Sequence, residues 1–159
     1  MHTFAAEVVG SLLGGEVLGL SGDLGTGKTE FVRGLAKAFG SKDAVKSPSF
    51  TLLNHYRLDG FDELTAGRLG VFDRLDHSTI KHLIHVYLYR LEDSGSDLVS
   101  QIGLDEWLDR GDTITVIEWP ERLGSLVSVT QRFSFSYGAH EMDRVVEKEE
   151  ALPMECKSP

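Results

Sequence analysis

The sequence has little cysteine and no long apolar segment. Its single cysteine, Cys156, lies in a polar tail without a partner, which excludes a disulfide within the chain and a thiolate metal cage. No run of about 18 apolar residues is present, so no membrane-spanning helix is predicted. The first residues, "MHTFAAEVVGSLLGG", lack a basic leader and a long apolar core and are not typical of a secretion signal. We therefore expect a cytoplasmic protein that does not associate with membranes.

Positive charge is also scarce. The net charge is −9, and residues 1–46 balance five acidic against five basic side chains, so the whole excess lies beyond them, with 20 acids and 11 bases. Affinity for nucleic acid comes largely from a basic face that neutralises phosphates. The charge distribution argues against a protein that grips RNA or DNA unaided. If the chain serves a nucleic acid, a partner is expected to make most of the contact.

The hydrophobic pattern predicts one α/β domain over residues 1–147, followed by a charged, disordered tail over 148–159. Residues 59–82 are highly charged and are interpreted as an insertion. Alternating strands and helices indicate a three-layer architecture with a mainly parallel sheet, closed by antiparallel C-terminal strands. Helices are predicted over 5–13, 28–39, 98–102 and 104–108, strands over 16–21, 83–91, 113–119, 127–137 and 142–147, and a loop leading into a further strand over 47–56.

The segment "SGDLGTGKTEF", residues 21–31, joins the first predicted strand to a helix. It fits the phosphate-loop pattern, in which glycines let successive backbone N–H groups turn inward and form an anion site at a helix N-terminus. Lys28 is predicted to reach the terminal phosphates of a nucleotide, and the Thr29 hydroxyl to coordinate Mg²⁺. The predicted nucleotide-binding residues of this segment are Gly22, Asp23, Leu24, Gly25, Thr26, Gly27, Lys28 and Thr29.

A phosphate loop alone does not hydrolyse a nucleotide. It requires an acidic residue at the end of a neighbouring strand, which holds the Mg²⁺ shell or the attacking water. Glu118 ends the apolar run "TITVIE" and is the candidate for this metal-binding and catalytic role, together with Lys28. A carboxylate at a strand tip could instead be a solvated cap or an ion-pair partner. With the phosphate loop, Glu118 indicates a P-loop NTPase-like domain.

Four segments of the chain resemble one known family. "GDLGTGKTEFVRGLAKAFG", "VKSPSFTLLNHY", "LYRL" and "VIEWPERL" occur in the order seen in TsaE, a family of small bacterial ATPases of tRNA threonylcarbamoyladenosine synthesis. The resemblance implies an ATPase that joins two partner proteins, TsaB and TsaD. TsaD transfers a threonylcarbamoyl group to the adenosine just 3′ of the anticodon, and ATP hydrolysis is thought to reset the assembly. Contact with tRNA would then be indirect, in agreement with the acidic charge.

The resemblance also implies roles for residues outside the phosphate loop. It makes residues 47–51 a switch-like loop near the γ-phosphate, where Ser49 replaces a frequent threonine and keeps the hydroxyl. It places Glu118 at the Mg²⁺ and the water, with Trp119 packed beside it as part of the nucleotide site. Core filling is the alternative role for Trp119.

One position departs from the family pattern. The family usually has "HFDLYRL" where this chain has "HVYLYRL", so Tyr87 stands where an aspartate is expected. A tyrosine cannot supply a carboxylate to Mg²⁺ or to a water. Three explanations are open: Glu118 suffices, a nearby acid such as Asp73 or Asp76 substitutes, or hydrolysis is impaired.

The histidines His77, His82 and His85 have a spacing that could suggest zinc. No cysteine lies nearby and no fourth ligand is evident, so they are interpreted as surface residues.

Three functions are compatible with these residues. The first is an ATPase whose hydrolysis depends on its partners. The second is an ATP-binding adaptor with impaired hydrolysis, which Tyr87 favours. The third is a small-molecule kinase that uses the same loop with Arg68 and Arg74 as lid arginines, although nothing marks an acceptor site.

Overall fold

The computed structural model describes residues 1–59, 79–91, 97–140 and 143–149. None of their helices has the length and apolar character needed to cross a membrane. The helices are α1 (His2–Val9), α2 (Lys28–Ala38), α3 (Leu98–Gln101) and a 3₁₀ helix (Pro120–Leu123). The strands are β1 (Val17–Gly22), β2 (Leu53–Arg57), β3 (His82–Tyr87), β4 (Thr113–Glu118), β5 (Gln131–Tyr137) and β6 (Arg144–Glu149).

All six strands form one sheet, in the order β2-β3-β4-β1-β5-β6. The four central strands are parallel, and the edge strands β2 and β6 are each antiparallel to their neighbour. The predicted mainly parallel sheet with an antiparallel C-terminal pair is therefore confirmed. The chain reaches one side of β1 through β2, β3 and β4 and the other side through β5, so the carboxyl end of β1 lies at a switch point, where α/β proteins usually bind ligands.

Apolar side chains cover both faces of the sheet. On one face, α1 and α2 pack against residues such as Leu83, Ile114 and Val116. On the other face, Ile84 and Val86 pack with side chains from α3 and the 3₁₀ helix. Successive side chains of a strand point to opposite faces, so the residues of β3 that follow Leu83 at intervals of two share the face of α2.

Helix α2 forms because its apolar residues recur at helical spacing. Phe31 and Leu35 are fully buried against the sheet, whereas Arg33 and Lys37 lie on the outer side. The helix ends before Gly40, whose φ of 72° is the left-handed conformation typical of glycine at this position. Both the helix and its glycine stop agree with the sequence prediction.

Some predicted boundaries need correction. The helix predicted over 104–108 is a series of turns: the amides of Trp107 and Leu108 both donate to the Leu104 carbonyl, and Asp109 then adopts a φ of 65°. The strand predicted over 83–91 ends at Tyr87, since a turn follows.

The proposed insertion and tail are only partly described. β3 begins at His82, inside the range assigned to the insertion, and β6 continues to Glu149, two residues past the predicted end of the domain. Residues 60–78 and 150–159 lie outside the described residues, so the division into domain, insertion and tail stays a prediction.

Candidate functional site

The loop between β1 and α2 depends on glycine at its two ends. Gly22, the last residue of β1, has a φ of 125°, and a Cβ there would collide with the Phe135 carbonyl group of β5. Gly27 has a φ of 103° and is the N-cap residue of α2. Both conformations strongly favour glycine. The loop thus passes from the sheet directly into the N-terminus of a helix, which is a favourable place for an anion.

Lys28 is the first residue of α2 and is only 4% exposed. Its Nζ donates to the carbonyl oxygens of Gly22, at 2.6 Å, and Asp23, at 2.7 Å, and lies 5.0 Å from the centre of the Trp119 ring. Burial lowers the pKa of the lysine, and the nearby Glu118 carboxylate partly opposes this shift. The ammonium group is therefore held under the loop by neutral carbonyls and an aromatic face.

A second buried charge faces this lysine from the neighbouring strand. Glu118, the last residue of β4, is 2% exposed. Its Oε1 accepts a hydrogen bond from the Thr29 hydroxyl, at 2.9 Å, and lies 2.8 Å from Nε2 of His85. Because the pair β1–β4 is parallel and in register, the end of β4 lies beside the start of the loop. The contact between Thr29 and Glu118 thus joins the loop to the strand tip.

The groups surround a cavity of about 220 Å³. It is lined by Leu24, Gly25, Gly27, Lys28, Thr29, Glu30, Arg33, Ser47, Tyr87 and Glu118. The structure therefore brings the loop, the first turns of α2, the strand tips and the segment before β2 to one place.

Several residues predicted for the site support the cavity rather than line it. Thr26 is buried and its hydroxyl donates to the Asp23 carbonyl at 2.8 Å, so both residues brace the loop. Gly22 supplies the turn out of β1. Trp119 adopts a φ of 66°, unusual for a non-glycine residue, and packs against Tyr89, with ring centres 5.0 Å apart. Trp119 therefore packs against Lys28 and Tyr89 without lining the cavity, and its role in nucleotide binding stays a prediction.

Tyr87 ends β3 directly beside Glu118 in the strand register. Burial raises the pKa of its phenol, the Glu118 charge raises it further, and the Ser49 side chain is its hydrogen-bond partner. The other carboxylate that lines the cavity, Glu30, is engaged by His2 at 2.8 Å and by Arg33 at 2.6 Å. Glu30 is thus held near the surface by His2 and Arg33, whereas Glu118 is buried and bonded to Thr29 and His85.

Asp73 and Asp76, considered as substitutes for the missing aspartate, lie outside the described residues.

The loop that precedes β2 closes another side of the cavity. Ser47 lines the cavity, whereas Ser49 does not. The two hydroxyl oxygens lie 2.7 Å apart. Leu52 adopts a φ of 63°, and its amide donates to the Pro48 carbonyl. The segment is thus a tight turn fixed between the cavity and the sheet edge.

Sequence reasoning missed the contribution of the C-terminal hairpin. The Tyr137 hydroxyl donates to the Leu24 carbonyl at 2.7 Å, and Nε of Arg144 donates to the Gly25 carbonyl at 3.2 Å. The Arg144 guanidinium also stacks on the Tyr137 ring, 4.6 Å from its centre. The two residues lie outside every motif, and only the parallel pairing of β5 with β1 reveals their proximity.

The interpretation of the histidines as surface residues is wrong for His85. This side chain is fully buried, because it lies in the middle of β3 on the face covered by α2, and it contacts Glu118. His82 is partly exposed at the start of β3, and His77 lies outside the described residues. Within the described ranges, no cluster of three histidine, cysteine or acidic side chains is arranged to hold a metal.

The chemistry of the residues present fits a nucleotide with magnesium. Thr29 and Glu118 offer hydroxyl and carboxylate oxygens, the ligands that Mg²⁺ prefers, and phosphate oxygens and waters usually complete its shell. Lys28 and the N-terminus of α2 offer positive charge to the same cavity.

A mainly parallel α/β sheet, a glycine-rich loop between β1 and α2 and a buried glutamate at the tip of the adjacent strand define a protein of the P-loop NTPase-like class. Within that class the comparison with known families is specific. The family model described as "Threonylcarbamoyl adenosine biosynthesis protein TsaE" matches residues 1–146. The chain therefore belongs to the TsaE family.

Individual relatives agree with this assignment. The chain is 36% identical over 105 residues to the tRNA threonylcarbamoyladenosine biosynthesis protein TsaE of Bacillus subtilis, a match that covers 66% of this chain but only 51% of that protein. It is 37% identical over 123 residues to the TsaE protein of Aquifex aeolicus, covering 76% and 70% of the two chains. The crystal structure of YdiB from Bacillus subtilis has 25% sequence identity and a TM-score of 0.51, covering 84% of this chain and 67% of that one.

Proposed function

We propose that the protein binds Mg²⁺ and ATP in this cavity and hydrolyses ATP when it is assembled with TsaB and TsaD, as part of the formation of threonylcarbamoyladenosine in tRNA. The observation that carries the proposal is the 2.9 Å hydrogen bond between Thr29, which follows the glycine-rich loop, and Glu118, at the tip of β4. In P-loop NTPases, the hydroxyl residue that follows the phosphate loop and an acidic residue at a strand end hold the Mg²⁺ together, so these two side chains must lie close to each other.

The phosphate-binding role falls to the loop and to Lys28. The N-terminus of α2 provides backbone N–H groups and the positive end of a helix dipole. Within the described residues, the hydrogen bonds of the Lys28 ammonium go to the neutral carbonyls of Gly22 and Asp23. Hydrogen bonds to charged phosphate oxygens are stronger than those to neutral carbonyls. We therefore expect Lys28 to exchange these carbonyls for phosphate oxygens when ATP binds.

The roles of metal ligand and water-orienting group fall to Thr29 and Glu118. Within the described part of the chain, Thr29 and His85 both bond to Oε1 of the Glu118 carboxylate. Because Glu118 lines the cavity, we assign Oε2 to the metal or its water. A bound Mg²⁺ neutralises charge that develops on the phosphate oxygens. Glu118 is only 2% exposed, and an electrostatic interaction is stronger where the charge is shielded from water.

The assembly role rests on family membership and charge. The relatives are named as proteins of tRNA threonylcarbamoyladenosine biosynthesis, yet this chain carries a net charge of −9. An acidic protein is poorly suited to hold tRNA by itself. We therefore assign the RNA contact to TsaB and TsaD.

The test is the Mg²⁺-dependent release of phosphate from ATP by the full chain, alone and mixed with purified TsaB and TsaD. We expect hydrolysis to appear or rise with the partners and to be lost in the Lys28→Ala variant. ATP binding with no hydrolysis, both by the chain alone and with TsaB and TsaD, would contradict the ATPase role.

Tyr87 favours a second function, an adaptor that binds ATP and docks on its partners without hydrolysing it. The phenol occupies the position beside Glu118 where the family has an aspartate. A Tyr87→Asp variant separates the two functions. If Glu118 suffices, hydrolysis changes little, whereas an adaptor would gain hydrolysis from the restored carboxylate. The arginines invoked for a kinase, Arg68 and Arg74, lie outside the described residues.

A further inference from the structure

We propose that His85 is a positioning residue for Glu118: its imidazole fixes the carboxylate in the orientation in which Oε1 meets Thr29 and Oε2 is presented to the cavity. The expected effect of His85 on ATP hydrolysis rests on the proposed function. Its effect on the orientation of the Glu118 side chain does not.

The proposed role sets the direction of the hydrogen bond. Nε2 of His85 lies 2.8 Å from Oε1 of Glu118, and the two side chains are 0% and 3% exposed. An ionised carboxylate can only accept hydrogen bonds, so the role requires the tautomer of His85 that carries its hydrogen on Nε2 and donates it. A donor to a charged acceptor makes a stronger bond than a neutral pair does.

The surroundings of His85 give no other reason for a polar side chain there. Its register partner is Val116, and Leu83 lies two residues before it on the same face. Within the described residues, its Nδ1 has no hydrogen-bond partner. A buried polar atom without a partner costs free energy, and an apolar residue at this position would avoid the cost. The contact with Glu118 is what offsets it.

His85 also differs from the other partner of Glu118. Thr29 belongs to the phosphate loop and is itself expected to engage the metal, whereas His85 lies on β3, inside the sheet. The bond from His85 therefore comes from the rigid core and does not depend on what the cavity contains. With Oε1 held from both sides, rotation of the carboxylate is restricted and Oε2 keeps its place.

Two substitutions separate positioning from packing. His85→Leu removes the donor and keeps an apolar side chain in the core, whereas His85→Gln keeps an amide donor that can reach Oε1. His82→Leu, at the start of the same strand, is the matched control because His82 contacts His55 and Asp112 instead of Glu118.

The kinetic readout is ATP hydrolysis by the full chain with TsaB and TsaD, and the binding readout is calorimetry with Mg²⁺ and ATP. Loss of a group that orients a ligand typically costs about 10- to 100-fold, so we expect a decrease of that order in kcat for His85→Leu, with KM and Kd changed by less than about threefold. His85→Gln should recover most of the turnover, and His82→Leu should keep it. Equal turnover in His85→Leu and the wild-type protein would overturn the proposal.

The structural readout does not require hydrolysis. Nucleotide-free crystal structures should show the Glu118 carboxylate turned away from Thr29 in His85→Leu and unchanged in His85→Gln. An unmoved carboxylate in His85→Leu would overturn the proposal even if the wild-type protein were active. If the carboxylate moves in His85→Leu but the wild-type protein never hydrolyses ATP, the positioning role is supported and the proposed function is contradicted. If His85→Leu does not fold, His85→Met provides the same test with a more adaptable apolar side chain.

Discussion

The parallel strands end at one side of the sheet, the carboxyl edge, and begin at the opposite side, the amino edge. Similar kinds of residues lie at both, in very different settings. At the carboxyl edge, Lys28 and Glu118 are almost completely buried around a cavity. At the amino edge lies a second cluster of charged and aromatic side chains, formed by His55, His82, Trp107, Arg110 and Asp112. Residue type alone would make either edge a candidate site.

The side chains of the amino-edge cluster contact one another. Arg110 forms a two-pronged contact with Asp112, at 2.9 and 3.0 Å, and its guanidinium lies over the Trp107 ring. His55 and His82 lie 2.9 Å apart. These side chains are half-buried or exposed and contact one another, whereas at the carboxyl edge Lys28 and Glu118 are buried beside the glycine-rich loop. Burial around a backbone cradle, and not residue type alone, is therefore our reason for proposing the ligand site at the carboxyl edge.

The largest expected effect comes from the buried lysine. Lys28→Ala should reduce ATP affinity by on the order of 100-fold or more, because it removes the cation that faces the phosphates inside a low-dielectric site. Calorimetric titration with Mg²⁺ and ATP measures the loss. The control is Lys81→Ala, an exposed lysine just before β3 at the opposite edge, which should bind as the wild-type protein does. Equal losses in both variants would remove the distinction between the edges.

The second-largest expected effect is a loss of ATP hydrolysis while ATP binding is retained. Glu118→Gln keeps the shape and a hydrogen-bonding oxygen but loses the charge, so ATP should still bind while phosphate release with TsaB and TsaD falls by roughly 100- to 1,000-fold. Phosphate release and calorimetry on one preparation measure the two quantities. The comparison variant, Asp112→Asn, should leave both unchanged. Full turnover in Glu118→Gln would exclude the carboxylate from the chemistry.

The carboxyl edge also depends on the hairpin that holds the loop from outside. Tyr137→Phe removes only the hydroxyl that donates to the Leu24 carbonyl. A typical hydrogen bond contributes about 1 kcal/mol, so ATP affinity should fall by about threefold to fivefold, since the loop becomes less restrained. Ser136→Ala, an exposed neighbour on β5, is the control. An unchanged Kd in Tyr137→Phe would show that the loop holds its shape without the hairpin.

The smallest effect belongs to the amino edge. Arg110 lowers the pKa of the Asp112 carboxyl from 3.8 to about 2, so this carboxylate stabilises the fold at pH values above about 4 and loses that contribution as the pH falls towards 2. Asp112→Asn should therefore lower Tm slightly at pH 7, and the difference from the wild-type protein should shrink through this window. The effect stays small because the pair is exposed to solvent. Thermal unfolding at several pH values measures it.

The part of the site that rests on local pattern could be predicted from the sequence. The loop at 22–29, helix α2 and the tip of β4 follow from glycine spacing, helical periodicity and an apolar run that ends in an acid. His85 could not be assigned, because its contact with Glu118 depends on the register of β3 against β4. Tyr137 lies 113 residues from the carbonyl that it meets, and the pairing of β1 with β5 alone brings them together.

The most direct test of the site is a crystal structure of the full chain with Mg²⁺ and a non-hydrolysable ATP analogue. We expect the phosphates to be cradled by residues 22–29, with Mg²⁺ at about 2.1 Å from the Thr29 hydroxyl oxygen. We also expect Nζ of Lys28 to leave the carbonyls of Gly22 and Asp23 for a phosphate oxygen. An analogue bound elsewhere, or phosphates in the loop with Lys28 still on both carbonyls, would contradict the proposed site.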